Sequence, residues 1–151
     1  MIDKLQLIQR VVDKYNKAYN ALGEEVATEL GPAFEEIMEP YLHLKTISWP
    51  QYTPYFMDGD ECIFSVNSWG VKLNGLDEDD VTNLEDEEDE RITSTLRELG
   101  FTDIGFSAAL EKVRDLLSAI PDDILRGLYG DHVLVTYTRG KGFTTEAYAH
   151  E

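Results

Sequence analysis

The chain has 151 residues, a formal net charge of −17 and 42% hydrophobic residues, which predicts one domain with its own core rather than a disordered acidic tail. The charge excludes bare nucleic acid and anionic lipid as partners, because both would be repelled. A single cysteine (Cys62), no apolar stretch long enough for a membrane span and no signal-peptide pattern predict a cytoplasmic protein.

The first thirty residues predict a long amphipathic helix. Apolar side chains recur every three or four residues, as in a coiled-coil seam, at Leu5, Ile8, Val12, Tyr15, Tyr19, Leu22 and Val26. The favoured interpretation is that this face packs on the protein's own core, and the alternative is a homodimer through the 5–26 seam. Gly31 and Pro32 interrupt the pattern, so we expect a separate short helix over 32–40.

The hydrophobic period changes to two after this helical region. Alternation over 43–49 predicts a strand, and a further strand is expected over 61–67. Residues 69–73 are expected to extend or pair with that strand. Pro50 and Pro54 exclude a helix between the strands and confine any strand there to an edge of the sheet.

An acidic run between 77 and 90 dominates the charge. Ten of these fourteen residues are acidic and none is basic: Asp77, Glu78, Asp79, Asp80, Glu85, Asp86, Glu87, Glu88, Asp89 and Glu90. Thr82 and Glu85 have the spacing of a capping box, so the run is predicted to open a helix that ends at Gly100. The turns over 85–90 are acidic on every side and can bury almost nothing. We therefore expect the ten acids to bind a partner.

The last third of the chain predicts two helices and a hairpin. The first helix has Ser107 as its cap and apolar side chains at helical spacing, and the second begins at Pro121 and ends near Gly127 or Gly130. Residues 133–148 predict two strands joined by a glycine-rich turn. The elements together predict a single α+β domain over residues 1–151. Its small antiparallel sheet of about four strands, including the C-terminal hairpin, packs against the long N-terminal helix and the further helices.

Six aromatic residues lie between 49 and 69. The structural interpretation, which we favour, is that they cover one end of the sheet. The functional interpretation is a ligand pocket or a partner-binding surface. The residues considered for that surface are Trp49, Tyr52, Tyr55, Phe56 and Trp69.

No sequence pattern fixes a reaction. The segment Gly105–Ala109 fails the nucleophile-elbow pattern at its last residue, and Cys62 lies on the apolar side of a predicted strand. Asp58, Asp60 and Glu61 are better explained by a turn than by a cation site. We therefore predict no catalytic residue, no metal and no cofactor.

The favoured hypothesis is a non-enzymatic acidic protein that binds a basic surface of a nucleic-acid-binding or defence protein. Helical carboxylates three or four residues apart lie ~5–6 Å from each other and can imitate phosphates, as in inhibitors from phages and mobile elements. A second acidic patch at Glu24, Glu25, Glu29, Glu35, Glu36 and Glu39 would support this hypothesis if it lay in the plane of the run. The alternatives are a small-molecule or peptide-binding module built on residues 49–69, an enzyme, and a run that serves solubility alone.

Overall fold

The computed structural model describes residues 3–54, 62–77 and 103–148 and shows the predicted α+β fold. Its elements in chain order are α1 (Lys4–Met38), β1 (Thr46–Tyr52), β2 (Ser65–Val66), a 3₁₀ turn (Ser68–Gly70), β3 (Lys72–Leu73), α2 (Asp103–Ala119), α3 (Asp122–Tyr129), β4 (Val133–Thr138) and β5 (Gly142–Ala147). The described part of the sheet has five strands. The helix predicted to follow residue 82 lies outside the described residues, as do Tyr55 and Phe56.

The sheet is built around β1. Its order is β2-β1-β4-β5, every pair is antiparallel, and β3 pairs with β1 on the same edge as β2. The register places Ile47 opposite Tyr137 and Trp49 opposite Val135. All four side chains are buried, so β1 and β4 present one continuous apolar face.

The core lies between this apolar face and one side of each helix. Trp49 is fully buried and makes edge-to-face contacts with the rings of Phe34, Tyr129 and Phe143, with centroid distances of 5.7, 5.9 and 6.3 Å. The helices contribute further buried side chains from Leu30, Phe34 and Met38 of α1, Phe106, Ala109, Leu110, Val113 and Leu117 of α2, and Ile124 and Leu125 of α3. The apolar pattern predicted for α2 is thus confirmed.

Pro50 lies in the central strand, and its predicted place at an edge of the sheet is wrong. The Pro50 carbonyl oxygen accepts a hydrogen bond from Asn67 N at 3.0 Å, so the nitrogen that lacks a hydrogen faces the same side. On that side the ladder is interrupted between β2 and β3, and the 3₁₀ turn fills the gap. A Cβ at Gly70 would lie 2.9 Å from the proline ring, so only glycine lets the two segments approach this closely.

The helix α1 is continuous, so the predicted break at Pro32 is wrong. Proline removes one backbone hydrogen bond, but Leu30, Phe34 and Met38 are buried on one side of the same turns. This tertiary packing outweighs the local cost. At 35 residues the helix is ~52 Å long, and its first part extends beyond the sheet and the other helices. Every residue from 3 to 18 is exposed, so the favoured interpretation that the whole seam packs on its own core is also wrong.

Several element boundaries differ from the prediction. β1 begins at Thr46 and not at residue 43. Before it, the Asn74 side chain binds the backbone of His43 and Lys45, where a neighbouring strand would otherwise bind. β2 is only two residues long, and Cys62 is half-buried ahead of it rather than in mid-strand. Ser107 lies inside α2, which starts at Asp103, so it is not the cap.

Candidate interaction surface

Six glutamates lie on α1 between residues 24 and 39, outside the stripe that Leu30, Phe34 and Met38 bury. This carboxylate row consists of Glu24, Glu25, Glu29, Glu35, Glu36 and Glu39. All are exposed except Glu35, which is half-buried, and residues 23–39 contain no basic side chain. At 1.5 Å of rise per residue the row is ~22 Å long, or about one carboxylate every 4 Å. One strand of B-DNA carries a phosphate about every 3.4 Å, so the two charge densities are similar.

Glu35 attaches the row to the sheet. Its Oε1 accepts hydrogen bonds from the Tyr137 hydroxyl at 2.5 Å and from Gly140 N at 2.8 Å. These two bonds, with a smaller effect of the nearby Arg139, hold the pKa of Glu35 below its ordinary value although burial opposes the shift. Burial and the same carboxylate raise the pKa of Tyr137 to about 12. Glu35 is therefore held against the sheet and is not a freely solvated side chain.

Arg139 completes the same attachment at the end of α1. Its guanidinium donates hydrogen bonds to the carbonyl oxygens of Met38, Tyr41 and Leu42, the last two at 2.8 and 3.3 Å. A cation at this end also compensates the negative pole of the helix dipole. Arg139, in the turn between β4 and β5, thus binds the last carbonyl oxygen of α1 and two carbonyl oxygens of the residues that follow it. The acidic end of α1 is thus fixed relative to β4 and β5.

Glu35→Gln is expected to lower the free energy of unfolding slightly at pH 7 and to flatten its dependence on pH below about 5. Because the folded-state pKa of Glu35 is lowered, its contribution is fully present above the unfolded-state pKa and is lost as the pH falls through the folded-state pKa. Urea unfolding between about pH 3 and 7 measures this. Glu36→Gln, an exposed neighbour, is the control, and a Glu35→Gln profile parallel to wild type would contradict the role.

The relation of the row to the acidic run stays a prediction. Of the ten acids of the run, Asp77 is described and is half-buried. The other nine lie outside the described residues.

The aromatic residues predicted to form one binding surface are separated in the structure. Trp49 is fully buried at the centre of the core, so its assignment to a binding surface is corrected. Tyr52 follows three residues later on the opposite face of β1, where its ring stacks on Tyr148 with centroids 5.7 Å apart. Trp69 is 75% exposed at the 3₁₀ turn.

A shallow cleft lies beside Trp69. The Arg114 guanidinium lies 4.7 Å from the centre of the Trp69 ring, and its Nε donates to the Ser68 carbonyl oxygen at 3.2 Å. The cleft measures about 460 Å³ and is also lined by Ser107 and Glu111. Sequence reasoning missed Arg114 because its partners are 45 residues away and share no local pattern with it.

A polar cluster fastens the end of β1 to the start of β4. Thr53 donates from N and Oγ1 to the Asp131 carboxylate at 2.8 and 2.7 Å, and His132 N donates at 2.8 Å. Burial would raise the pKa of Asp131, but these bonds together with the His132 side chain hold it below its ordinary value. Arg126 also forms an ion pair with this carboxylate, with 3.4 Å between Arg126 Nη2 and Asp131 Oδ2. The carboxylate is held by three hydrogen bonds and one ion pair, which is the arrangement of a structural anchor.

Over the described ranges 3–54, 62–77 and 103–148, no group of three or more His, Cys, Asp or Glu residues is placed to hold a metal ion. No helix in the part of the chain that the structure describes is long and apolar enough to cross a membrane. In comparisons with known proteins, no family model, no curated protein and no solved structure matches the chain.

Proposed function

We propose that this protein is a non-enzymatic acidic interaction protein that occupies a basic surface on a nucleic-acid-binding or defence protein. The observation that carries the proposal is the carboxylate row on α1, with five exposed glutamates and no basic residue over residues 23–39. A basic groove that binds a nucleic acid strand recognises a similar linear density of negative charge. The proposal includes no direct contact with nucleic acid or membrane, because the net charge of −17 opposes both.

The row is presented by a rigid support. Leu30, Phe34 and Met38 bury one side of the same helical segment, and the bonds of Glu35 and Arg139 fix its end. A partner therefore has to order only glutamate side chains and not the backbone, which lowers the entropic cost of binding. A surface that served solubility alone would not need this rigid support.

In this proposal, the acidic run from Asp77 to Glu90 acts by long-range electrostatic attraction of the partner. Its charges make up most of the net charge and would accelerate encounter with a basic partner at low ionic strength. The proposal places the protein in the cytoplasm, where a chain with one cysteine needs no disulfide.

The test uses two variants of equal charge as baits in native lysate. The row variant carries Glu25→Gln, Glu29→Gln and Glu36→Gln, and the control carries three substitutions at exposed acids elsewhere: Glu111→Gln, Asp123→Asn and Glu146→Gln. Wild type and control are expected to capture basic proteins at low salt. The row variant is expected to capture at least about tenfold less, since each lost charge-assisted contact costs about 1 kcal/mol or more.

Salt supplies the second measurement. Capture by wild type is expected to fall steeply between about 50 and 300 mM salt, because the contacts are electrostatic. Capture of no basic protein, equal capture by the row variant, or binding that does not change with salt would each count against the proposal.

A further inference from the structure

The N-terminal half of α1 exposes an apolar face beyond the body of the protein. Leu5 is 74% exposed, Ile8 59%, Val11 62% and Tyr15 65%. This face continues the side of the helix that is half-buried at Val26 and buried from Leu30 onward. An apolar surface of this extent is typical of an interaction site.

The charge of this projecting part differs in sign from that of the rest. Residues 4–22 contain four basic side chains (Lys4, Arg10, Lys14 and Lys17) and one acidic side chain, Asp13, so they carry +3. The remainder of the chain therefore carries −20. Any occupant of the apolar face must tolerate a basic segment at one end of the helix and the glutamates of the carboxylate row toward the other.

We infer that the occupant is a second copy of this chain, paired through α1 as an antiparallel two-helix coiled coil. In the register that aligns the two apolar seams, Leu5 faces Leu22 of the second copy, Ile8 faces Tyr19, and Val12 faces Tyr15. The pairing is symmetric, so each contact occurs twice, as a two-fold interface requires. The inference does not rest on the function proposed above, although Glu25 of the carboxylate row also flanks the paired seam.

The residues that flank the seam favour the antiparallel orientation. It places Lys4 beside Glu25 of the second copy, a pair of opposite charge that again occurs twice. It also places Val11 beside Ala18 and Gln9 beside Asn16, so that apolar residues meet apolar ones and amides meet amides. A parallel pair would instead set Val11 against Asn16 and Lys4 against Gln9.

The charge of the rest of the protein also favours the antiparallel orientation. A parallel pair would bring the remainders of both chains, each with a net charge of −20, to the same end of the coiled coil. The antiparallel pair separates them by an overlap of ~26 Å, about three Debye lengths at physiological salt. Covering the seam on both copies removes on the order of 1,200 Å² from water, at the lower limit for a specific interface, so a dimer of micromolar affinity is expected.

The first experiment measures the mass of the full chain by sedimentation velocity from about 1 to 200 µM, a range that spans micromolar affinity. The apparent mass is expected to rise from 17.2 kDa toward twice that value. Ile8→Glu is expected to weaken the dimer at least about tenfold. Gln6→Glu adds the same charge on the opposite side of the helix and is expected to leave the dimer intact.

The second experiment tests the orientation with spin labels in a Cys62→Ser background. Labels at Gln6→Cys and at Asp13→Cys occupy equivalent positions of the heptad. In the antiparallel dimer the two labels at 6 are offset by ~22 Å along the axis and the two at 13 by ~2 Å, whereas a parallel dimer gives equal distances. Equal distances, a dimer insensitive to Ile8→Glu, or a monomer at every concentration would overturn the inference. The last result would leave the face to a partner of different sequence.

Discussion

Trp49→Ala is expected to lower the free energy of unfolding by ~3–5 kcal/mol, the range for removing a large buried aromatic side chain. Trp49 is fully buried, and its ring contacts Phe34, Tyr129 and Phe143 from α1, α3 and β5. The cavity would therefore open where α1 and α3 meet the sheet. Urea unfolding followed by circular dichroism measures the loss.

Trp69→Ala is the matched control because Trp69 is the other tryptophan of the chain. It is 75% exposed, so the change removes mainly its contact with Arg114 and is expected to cost ~1 kcal/mol or less. If the Trp49 variant unfolded with the same midpoint as wild type, or if the Trp69 variant were the less stable of the two, the assignment of the two residues to core and surface would be wrong.

Elements with a strong local period could be predicted from the sequence. α2 has apolar side chains at helical spacing, and the alternation over 133–147 with a glycine-rich turn gave the hairpin β4–β5. Their period matches the side that each element buries, so local pattern and tertiary packing agree. The α+β class followed from these elements and the long N-terminal helix.

The two prolines were interpreted wrongly for the same reason. Pro32 lies inside α1 and Pro50 inside the central strand, where local rules predict a break and an edge. In each case tertiary packing decides the outcome, through the burial of the turns around Phe34 and through the close approach of Gly70. The apolar spacing of Leu30, Phe34 and Met38 continues across Pro32 and is a local signal for the unbroken helix, whereas Gly70 lies twenty residues from Pro50.

The aromatic block shows a signal that could have been used. Trp49 is two residues from Ile47, so alternation places both on the apolar face of β1, and Tyr52 falls on the other face. The alternation of side chains between the two faces of a strand predicts burial better than the number of aromatic residues in a segment does. By contrast, Glu35 binds the Tyr137 hydroxyl and Arg139 binds the carbonyl oxygen of Tyr41, each about 100 residues away in sequence. Only the tertiary structure brings these groups together.

Gln51→Glu is expected to lower the free energy of unfolding by ~3–5 kcal/mol at pH 7 and by clearly less near pH 4. Gln51 is fully buried beside Trp49, and its Oε1 accepts a hydrogen bond from Trp49 Nε1 at 3.0 Å. Its Nε2 donates to the carbonyl oxygens of Leu125 and Gly130 at 3.0 and 2.7 Å. An ionised glutamate would keep the first bond, but it would turn a negative oxygen toward two acceptors in a site without water access.

The direction of the pH effect follows from the buried charge. Burial and the two carbonyl groups would raise the folded-state pKa of the new glutamate above its unfolded value of about 4.3. Between these two pKa values the folded protein binds more protons than the unfolded chain, so stability falls as the pH rises. Below that window the protonated carboxyl can donate to one carbonyl oxygen and recovers part of the lost bonding. Folding at pH 4 but not at pH 7 would be the limiting form of this result.

Urea unfolding of wild type and variant at both pH values gives the difference directly, and Gln6→Glu, an exposed substitution on α1, controls for the added charge. The control is expected to lie within about 0.5 kcal/mol of wild type at both pH values. A loss for Gln51→Glu that is the same at pH 4 and pH 7 would mean that shape and not charge sets the cost. The absence of any loss would mean that the bonds from Gln51 to α3 do not hold the helix against the sheet.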